Sequence, residues 1–379
     1  MQITYNILLT TMSLDIGGAE THIVELAKGL KKEGFQVVVA SNGGVFVKDL
    51  ESHGIKHYTV PLHNKKPNNV YKAYKMLQQI VIDEKINLVH AHARIPGFIC
   101  NMLHKKMKFA FVTTAHGTWK TGGGLKYITR WGQKTIAVSQ DVKKYLLDNY
   151  KIDENNIKVT INGIDTENFS PNVDYNSITE EFNIPEDNFK IVYVSRLDKD
   201  REAILHSILE VLSRLIFDVE KLNFFIVGGG NILHSIKEAA YNLNGDLRRN
   251  AVTVTGSRTD INKFTAMADL FIGFGRSSLE GMSSANPVII AGNQGYIGIL
   301  KPDNLDIAIK TNFSGRGQEM PNTENFYNEI LKVINMSKEE RESLGTFCRN
   351  VVEQQYSISK MVADNIEVYM QLLKNSRDI

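Results

Sequence analysis

In the first half of the chain, short apolar runs alternate with longer amphipathic stretches. ITYNILLTTM, FQVVVASNG, KHYTVPL, INLVHAH, FAFVTTAH, KTIAVS and IKVTINGI each read as a strand. Several are nearly continuous and β-branched, the composition of strands buried on both faces. Between them, ETHIVELAKGLKKEG, VYKAYKMLQQIVIDEK and SQDVKKYLLDNYK carry the apolar period of helices. Strand then helix, repeated, predicts a parallel α/β sheet.

The pattern restarts after TENFSPNVDYNSITEEFNIPEDN, which is rich in turn-forming Pro, Asn and Asp. FKIVYVSRL, NFFIVGGG, AVTVTGS, DLFIGFG, NPVIIAG and IAIKT read as six further strands, and a helix is predicted from about Glu202 to Leu215. Two doubly wound, Rossmann-like parallel-sheet halves joined near residues 166–188 fit this order. The predicted division is residues 1–168, residues 169–355, and a closing helix over 356–379 that starts from SISKMVADNIEVYMQLLKNS.

A length of 379 residues suits two domains, and 42% hydrophobic with 23% charged residues is ordinary for a soluble protein. No apolar run reaches the roughly 20 residues of a membrane helix. MQITYNILLTTMS has no basic leader region and reads as a first strand, not a signal peptide. Cys100 and Cys348 lie far apart in sequence, which argues against a disulfide or zinc framework and for a reducing cytoplasm.

Charge divides unevenly. Residues 1–168 hold 22 Lys and Arg against 14 Asp and Glu; the remainder hold 22 against 28. The basic excess, with HNKKPNNVYKAYK and LHKKMK, points to an anionic partner, including peripheral contact with an anionic membrane. A chance imbalance on a solvated surface is the alternative. No nucleic-acid motif accompanies the charge, so no nucleic-acid partner is expected.

Ligands of doubly wound sheets bind beyond the carboxyl ends of the strands. After strand one, Gly17 and Gly18 open a helix near Ala19, where bare N–H groups and the helix dipole favour an anion; an ordinary glycine turn is the other reading. His116 stands at the tip of FAFVTTAH, able to donate to a sugar hydroxyl or phosphate, or to serve as a loop histidine. Thr121 to Gly124 read as a loop able to close over a second substrate. His90 and His92 alternate, which predicts opposite faces and structural roles rather than a metal site.

In the second half, Arg196 and Arg201 flank a strand-end turn with Lys199 between them, a pattern suited to a diphosphate. Gly228, Gly229 and Gly230 end the next strand, and Gly256 with Arg258 the one after. Gly273 and Gly275 then precede Arg276, Ser277 and Ser278 at a helix start, with free N–H groups for phosphate oxygens. Glu280, one turn in, suits two ribose hydroxyls; balancing the helix dipole is its plainer role.

Taken in order, these segments resemble the GT-B nucleotide-sugar glycosyltransferases, most closely glycosyltransferase family 4. GGAETHIVELAKGL, VHAHARIPGF, TTAHGTWK, AVSQDVKKYL and VTINGIDTENFSP resemble its amino-terminal motifs. VSRLDKDRE, FFIVGGG, VTVTGSRTDINKFTAMADLFI and LEGMSSANPVI resemble its carboxyl-terminal motifs. The resemblance implies two Rossmann-like domains facing a cleft, with the last helix returning to the first domain. It implies a retaining hexosyl transfer from a nucleotide-diphosphate sugar, with UDP favoured, to a glycan, lipid-linked or small-molecule acceptor, using no metal or other cofactor. By position, Gly17 and Gly18 would touch the donor's phosphate or sugar, and His116 would face the transferred sugar. Arg196 would neutralise diphosphate, with Arg201 where the family has lysine, and Glu280 would hold the ribose.

One signature is incomplete. The family carries Glu-x7-Glu, and counting back eight from Glu280 gives Ile272. A shorter G-x-G-R-x-x-L-E form fits better, with Arg276 supplying a phosphate contact. A non-catalytic nucleotide-sugar-binding relative and a nucleotide-sugar epimerase are the alternatives.

Overall fold

The computed structural model describes residues 5–375 except 16 and 321, without the side chains of Leu247 and Asn375. The chain divides into two compact units, residues 1–163 with 358–379, and residues 164–357.

The first unit holds seven strands: β1 (Asn6–Thr10), β2 (Gln36–Ser41), β3 (Lys56–Thr59), β4 (Leu88–Ala91), β5 (Ala110–Ala115), β6 (Lys134–Ala137) and β7 (Ile157–Val159). Their order is β3-β2-β1-β4-β5-β6-β7, parallel throughout. The two-residue alternation of β1 sorts the core. Ile7 and Leu9 pack with Ile23, Leu26 and Leu30 of helix Gly18–Lys32 and with Met361, Val362 and Tyr369 of helix Ile358–Asn375. Leu8 faces the other way, towards Leu77 and Ile80 of helix Pro67–Asp83 and Ile99 and Leu103 of helix Arg94–Met107. Both faces are covered, which is why these strands read as unbroken apolar runs.

The second unit holds β8 (Phe189–Val194), β9 (Leu222–Val227), β10 (Val252–Gly256), β11 (Leu270–Gly273), β12 (Val288–Gly292) and β13 (Gly295–Ile299), in the order β10-β9-β8-β11-β12-β13. This is the doubly wound order, reversing between β8 and β11. Ile191, Tyr193, Phe224 and Ile272 meet helix Glu202–Asp218 on one face. On the other, Phe182, Phe225 and Phe264 pack edge to face.

Two expectations fail here. IAIKT is not a strand: Leu305–Lys310 is a helix. Within it only Ala308 is buried, and Ile307 is exposed, so the run lacks the two buried faces of an inner strand. The sixth strand is instead GYIGI, antiparallel to β12, so the second sheet is not wholly parallel. Its two glycines hid it, and they are required: Gly298 has φ +82 and lies against the Glu329 carboxylate, which accepts from Ile299 N at 2.9 Å and Tyr296 Oη at 2.6 Å.

Candidate functional site

In the second unit, the loop after β8 is a framework for two different arginines. Arg196 is 73% exposed, and its guanidinium pairs with Asp198 at 3.7 Å. Arg201 is 14% exposed. Its Nη1 donates to Ser195 Oγ at 3.1 Å and to Arg196 O at 3.4 Å, and its guanidinium lies 5.0 Å from the centre of the Phe274 ring. Phe274 comes from the turn after β11, and its ring covers Gly292 at the end of β12. Three strand ends are therefore joined through one cation, and Arg201 is fixed before any ligand arrives.

The triple glycine after β9 serves this framework. A Cβ on Gly228 would overlap the Ser195 carbonyl oxygen, one on Gly229 the Ser257 hydroxyl, and one on Gly230 the Leu197 carbonyl. Gly228 and Gly230 also sit at φ +150 and +159. Leu197 N donates to Gly229 O at 2.8 Å, and Ile232 N to Leu197 O at 3.0 Å. These glycines let the Arg-bearing loop lie on the β9 turn.

Gly256 has φ +79, and a Cβ there would meet Leu233 at 3.9 Å, an ordinary contact. Arg258, next but one, is engaged by the protein itself. It pairs with both oxygens of Glu181 at 2.8 and 2.9 Å and with Asp260 at 2.8 and 2.9 Å, beside the Phe264 ring. These carboxylates hold its proton even more firmly than usual, Asp260 contributing most.

After β11, Gly273 packs against the Phe271 ring and the Ser277 hydroxyl. Gly275, with φ 58 and ψ −127, caps helix Arg276–Ser283 and has open space where a side chain would stand. Its N–H is used by Phe313 O at 2.7 Å. Ser277 folds back, its hydroxyl within 3.1 Å of Phe274 O and 3.3 Å of Phe274 N. The Ser278 hydroxyl is buried and meets no hydrogen-bond partner among the described residues. Glu280 accepts from Arg276 Nε at 2.9 Å. Burial pushes its carboxyl above the ordinary range, and Arg276 pulls it part of the way back. Ile272 is wholly buried in β11, opposite Tyr193 and Ile289. That position belongs to the sheet core, and no acidic residue stands between Asp269 and Glu280.

In the first unit, the loop after β1 is clamped by the loop after β2, through Leu14 N to Gly43 O at 2.8 Å and Phe46 N to Leu14 O at 3.0 Å. Gly17 is extended and caps helix Gly18–Lys32, and Gly18 faces open space. His22 on that helix, His90 in β4, and His92 and His116 just beyond β4 and β5 form one cluster. The rings of His90 and His92 are 4.0 Å apart. Opposite faces were expected, but β4 ends at Ala91, so strand alternation no longer governs His92. His92 Nδ1 lies 3.1 Å from His116 Nε2. Burial holds His90, His92 and His116 well below the usual imidazole range.

Just ahead of Thr121–Gly124 in the chain, Trp119 is stacked on Trp131 at 4.9 Å with Arg94 5.5 Å from its ring, and its carbonyl accepts from Tyr145 Oη. Gly123 and Gly124, at φ 60 and 76, are exposed. Lys105 and Lys106 end helix Arg94–Met107, which packs against helix Pro67–Asp83 bearing Lys72, Lys75 and the exposed Tyr71.

Sequence reasoning thus located Arg196, Arg201, Gly229, Gly256, Arg258, Gly273, Gly275, Arg276, Ser277, Ser278 and Glu280 at strand ends or helix starts of the second sheet. It placed Gly17, Gly18 and His116 at those of the first. It missed Ser195 and Phe274, which hold Arg201, and His22, which joins His116. Phe274 stood between two glycines after a strand, the one available signal.

Among solved structures, the fold is similar to that of a glycosyltransferase from Rickettsia africae, with a TM-score of 0.80 and 26% identity over 98% of this chain and 99% of that one. It is also similar to Anabaena HepE solved in complex with UDP, with a TM-score of 0.73 and 16% identity over 98% and 100%. The Escherichia coli UDP-Gal:alpha-D-GlcNAc-diphosphoundecaprenol alpha-1,3-galactosyltransferase is 23% identical over 346 residues, 82% of this chain and 81% of that protein. The model of Glycosyltransferase Family 4 matches residues 16–168 and that of Glycosyl transferases group 1 residues 174–350. Matched in both units and alike in fold over its whole length, the chain belongs to these GT-B glycosyltransferases.

Proposed function

We propose that this glycosyltransferase moves a hexosyl unit, with retention at the anomeric carbon and without a catalytic metal, from a UDP-sugar to a glycan or lipid-linked acceptor. The observation that carries the reading is Arg201, held by Ser195 and Phe274 at the turn that leads into the Glu280 helix. A departing diphosphate needs positive charge that is already oriented, and a pre-fixed guanidinium stabilises developing charge without reorganising. Arg196, exposed beside it, closes on the same anion. Glu280 takes the ribose hydroxyls once Arg276 turns from it to a phosphate oxygen. No protein nucleophile is needed; the site orients the acceptor hydroxyl and carries the leaving group's charge. His116 contacts a sugar hydroxyl during transfer.

The UDP donor and a lipid-linked acceptor are supported by the galactosyltransferase relative, whose name gives UDP-Gal and a diphosphoundecaprenol acceptor. The lysines of the two packed first-unit helices support peripheral contact with an anionic membrane. Among the described residues no helix is long and apolar enough to cross a membrane.

A second reading, a binding protein without turnover, is favoured by the burial of Ile272 where the family has glutamate. Calorimetry with UDP-, GDP- and ADP-sugars, followed by transfer assays to a polyprenyl-diphosphate glycan, separates the two. Transfer from one UDP-sugar is expected. Tight binding with neither transfer nor donor hydrolysis would establish the second reading instead.

A further inference from the structure

His22, His92 and His116 each direct one ring nitrogen into a common space, and these atoms lie within 4.8 Å of one another. The rings meet at 4.9 Å (His22 with His116), 5.3 Å (His92 with His116) and 5.8 Å (His22 with His92). His90 stands outside the set because both its nitrogens are engaged, Nδ1 with Tyr369 Oη and Nε2 with Thr114 Oγ1, each at 2.7 Å. His92 and His116 share one contact, Nδ1 of the first with Nε2 of the second, while their other nitrogens, His92 Nε2 and His116 Nδ1, are buried and meet no hydrogen-bond partner among the described residues. Among the described residues no carboxylate or thiol joins the group.

We propose that His22, His92 and His116 form a three-imidazole site for a borderline transition-metal dication of the Zn2+ class. Three imidazole nitrogens without a carboxylate favour such ions over Mg2+ and Ca2+, which prefer oxygen. Zn–N bonds of about 2.0–2.1 Å in a tetrahedral site put ligand nitrogens roughly 3.3–3.4 Å apart. The His92–His116 pair is already at 3.1 Å, so the main adjustment is the approach of His22. The fourth position is open to water or a ligand oxygen.

Outer hydrogen bonds to ligating histidines typically raise affinity 10- to 100-fold. His92 and His116 lack them on their remaining nitrogens, so occupancy is reversible rather than structural. A bound ion ties up His116, and so inhibits transfer instead of assisting it. That consequence rests on the function proposed above; binding itself does not.

The test uses the full chain, free of any histidine tag and stripped by chelator, with no nucleotide present. Zn2+ is titrated by calorimetry, and Co2+ is followed by the strong visible absorption of its four-coordinate form. One saturable ion per chain is expected, with affinity at least tenfold weaker in His22→Ala and His92→Ala and unchanged in His206→Ala. Where an alanine variant fails a thermal-melt check of folding, His92→Gln, which keeps the volume, is read in its place. No saturable binding to the wild type overturns the site, and so does equal affinity in the folded variants. Zinc binding without inhibition of transfer would remove the role of His116 in transfer and leave the site standing.

Discussion

The first sheet gathers imidazoles at its carboxyl end and the second gathers guanidinium groups, on different strands of similar strand orders: after β4 and β5 in the first, after β8 and β10 in the second. In the first unit, the ends of β4 and β5 and helix Gly18–Lys32 supply four histidines, of which His90, His92 and His116 are held neutral by burial. In the second, β8 is followed by Arg196 and Arg201, and β10 by Arg258. The carboxyl end of the sheet therefore carries neutral donors and acceptors in one unit and positive charge in the other. The second unit adds a finer contrast. Arg258 is hydrogen-bonded on both sides by carboxylates, whereas Arg201 is hydrogen-bonded by a hydroxyl and a carbonyl, lies on an aromatic face, and meets its one carboxylate, Asp200, at the longer distance of 3.9 Å. The looser pairing leaves more of the positive charge available to a ligand.

The sharpest way to break that contrast is to remove each arginine. Arg201→Ala is expected to lower kcat/KM for transfer by about 10³-fold, the scale of losing a preorganised charge contact in a transition state. Its melting temperature should change little. Arg258→Ala should do the reverse, leaving Glu181 and Asp260 unpaired and costing about 1–3 kcal/mol of stability while UDP affinity stays within twofold. Steady-state kinetics and urea melts on both variants decide it. Near-normal turnover in Arg201→Ala, with Arg196→Ala also near normal, would remove the diphosphate assignment.

The glycine turns divide in the same way. Gly228→Ala would drive a methyl group into the Ser195 carbonyl at φ +150, and a loss of about 3 kcal/mol or more is expected. Gly18→Ala, at a helix start in open space, should leave stability unchanged within about 0.5 kcal/mol. Equal melts for the two would show that the β9 turn tolerates a Cβ and is not a packing device.

Both sheets were legible because doubly buried parallel strands write themselves as unbroken apolar runs. GYIGI was not, since its glycines answer to a Glu329 carboxylate thirty-odd residues away, and IAIKT misled because an apolar run does not say how many of its faces are buried. The site shows the same limit. Local spacing could put Arg201 and Arg258 at strand ends, but not reveal that Glu181, 77 residues earlier, occupies the second. Nor could it show that Phe274, from a different strand end, supports the first. The histidines were visible singly, and their convergence was not, because His22 of helix Gly18–Lys32 and His116 after β5 come together only once the central strands of the sheet have assembled.

The smallest expected effect concerns Glu280. Its carboxyl is pushed upward by burial and only partly relieved by Arg276, so ionising it in the folded chain costs stability. A raised carboxyl pKa makes the folded state hold its proton longer than the unfolded state. The associated stability is fully present below the unfolded value of about 4.3 and is lost as pH rises through the raised folded value. Glu280→Gln removes that loss. Relative to wild type it should therefore gain up to about 1 kcal/mol at pH 7 and nothing at pH 4, offset in part by the guanidinium of Arg276 losing its partner. Its affinity for UDP should nevertheless fall about tenfold, because an amide accepts only one of the two ribose hydrogen bonds that a carboxylate can take. Urea melts at the two pH values, beside UDP calorimetry, test both halves. A variant less stable at pH 7 with unchanged UDP affinity would mean that Glu280 serves the helix, pairing with Arg276, and that the ribose is held elsewhere.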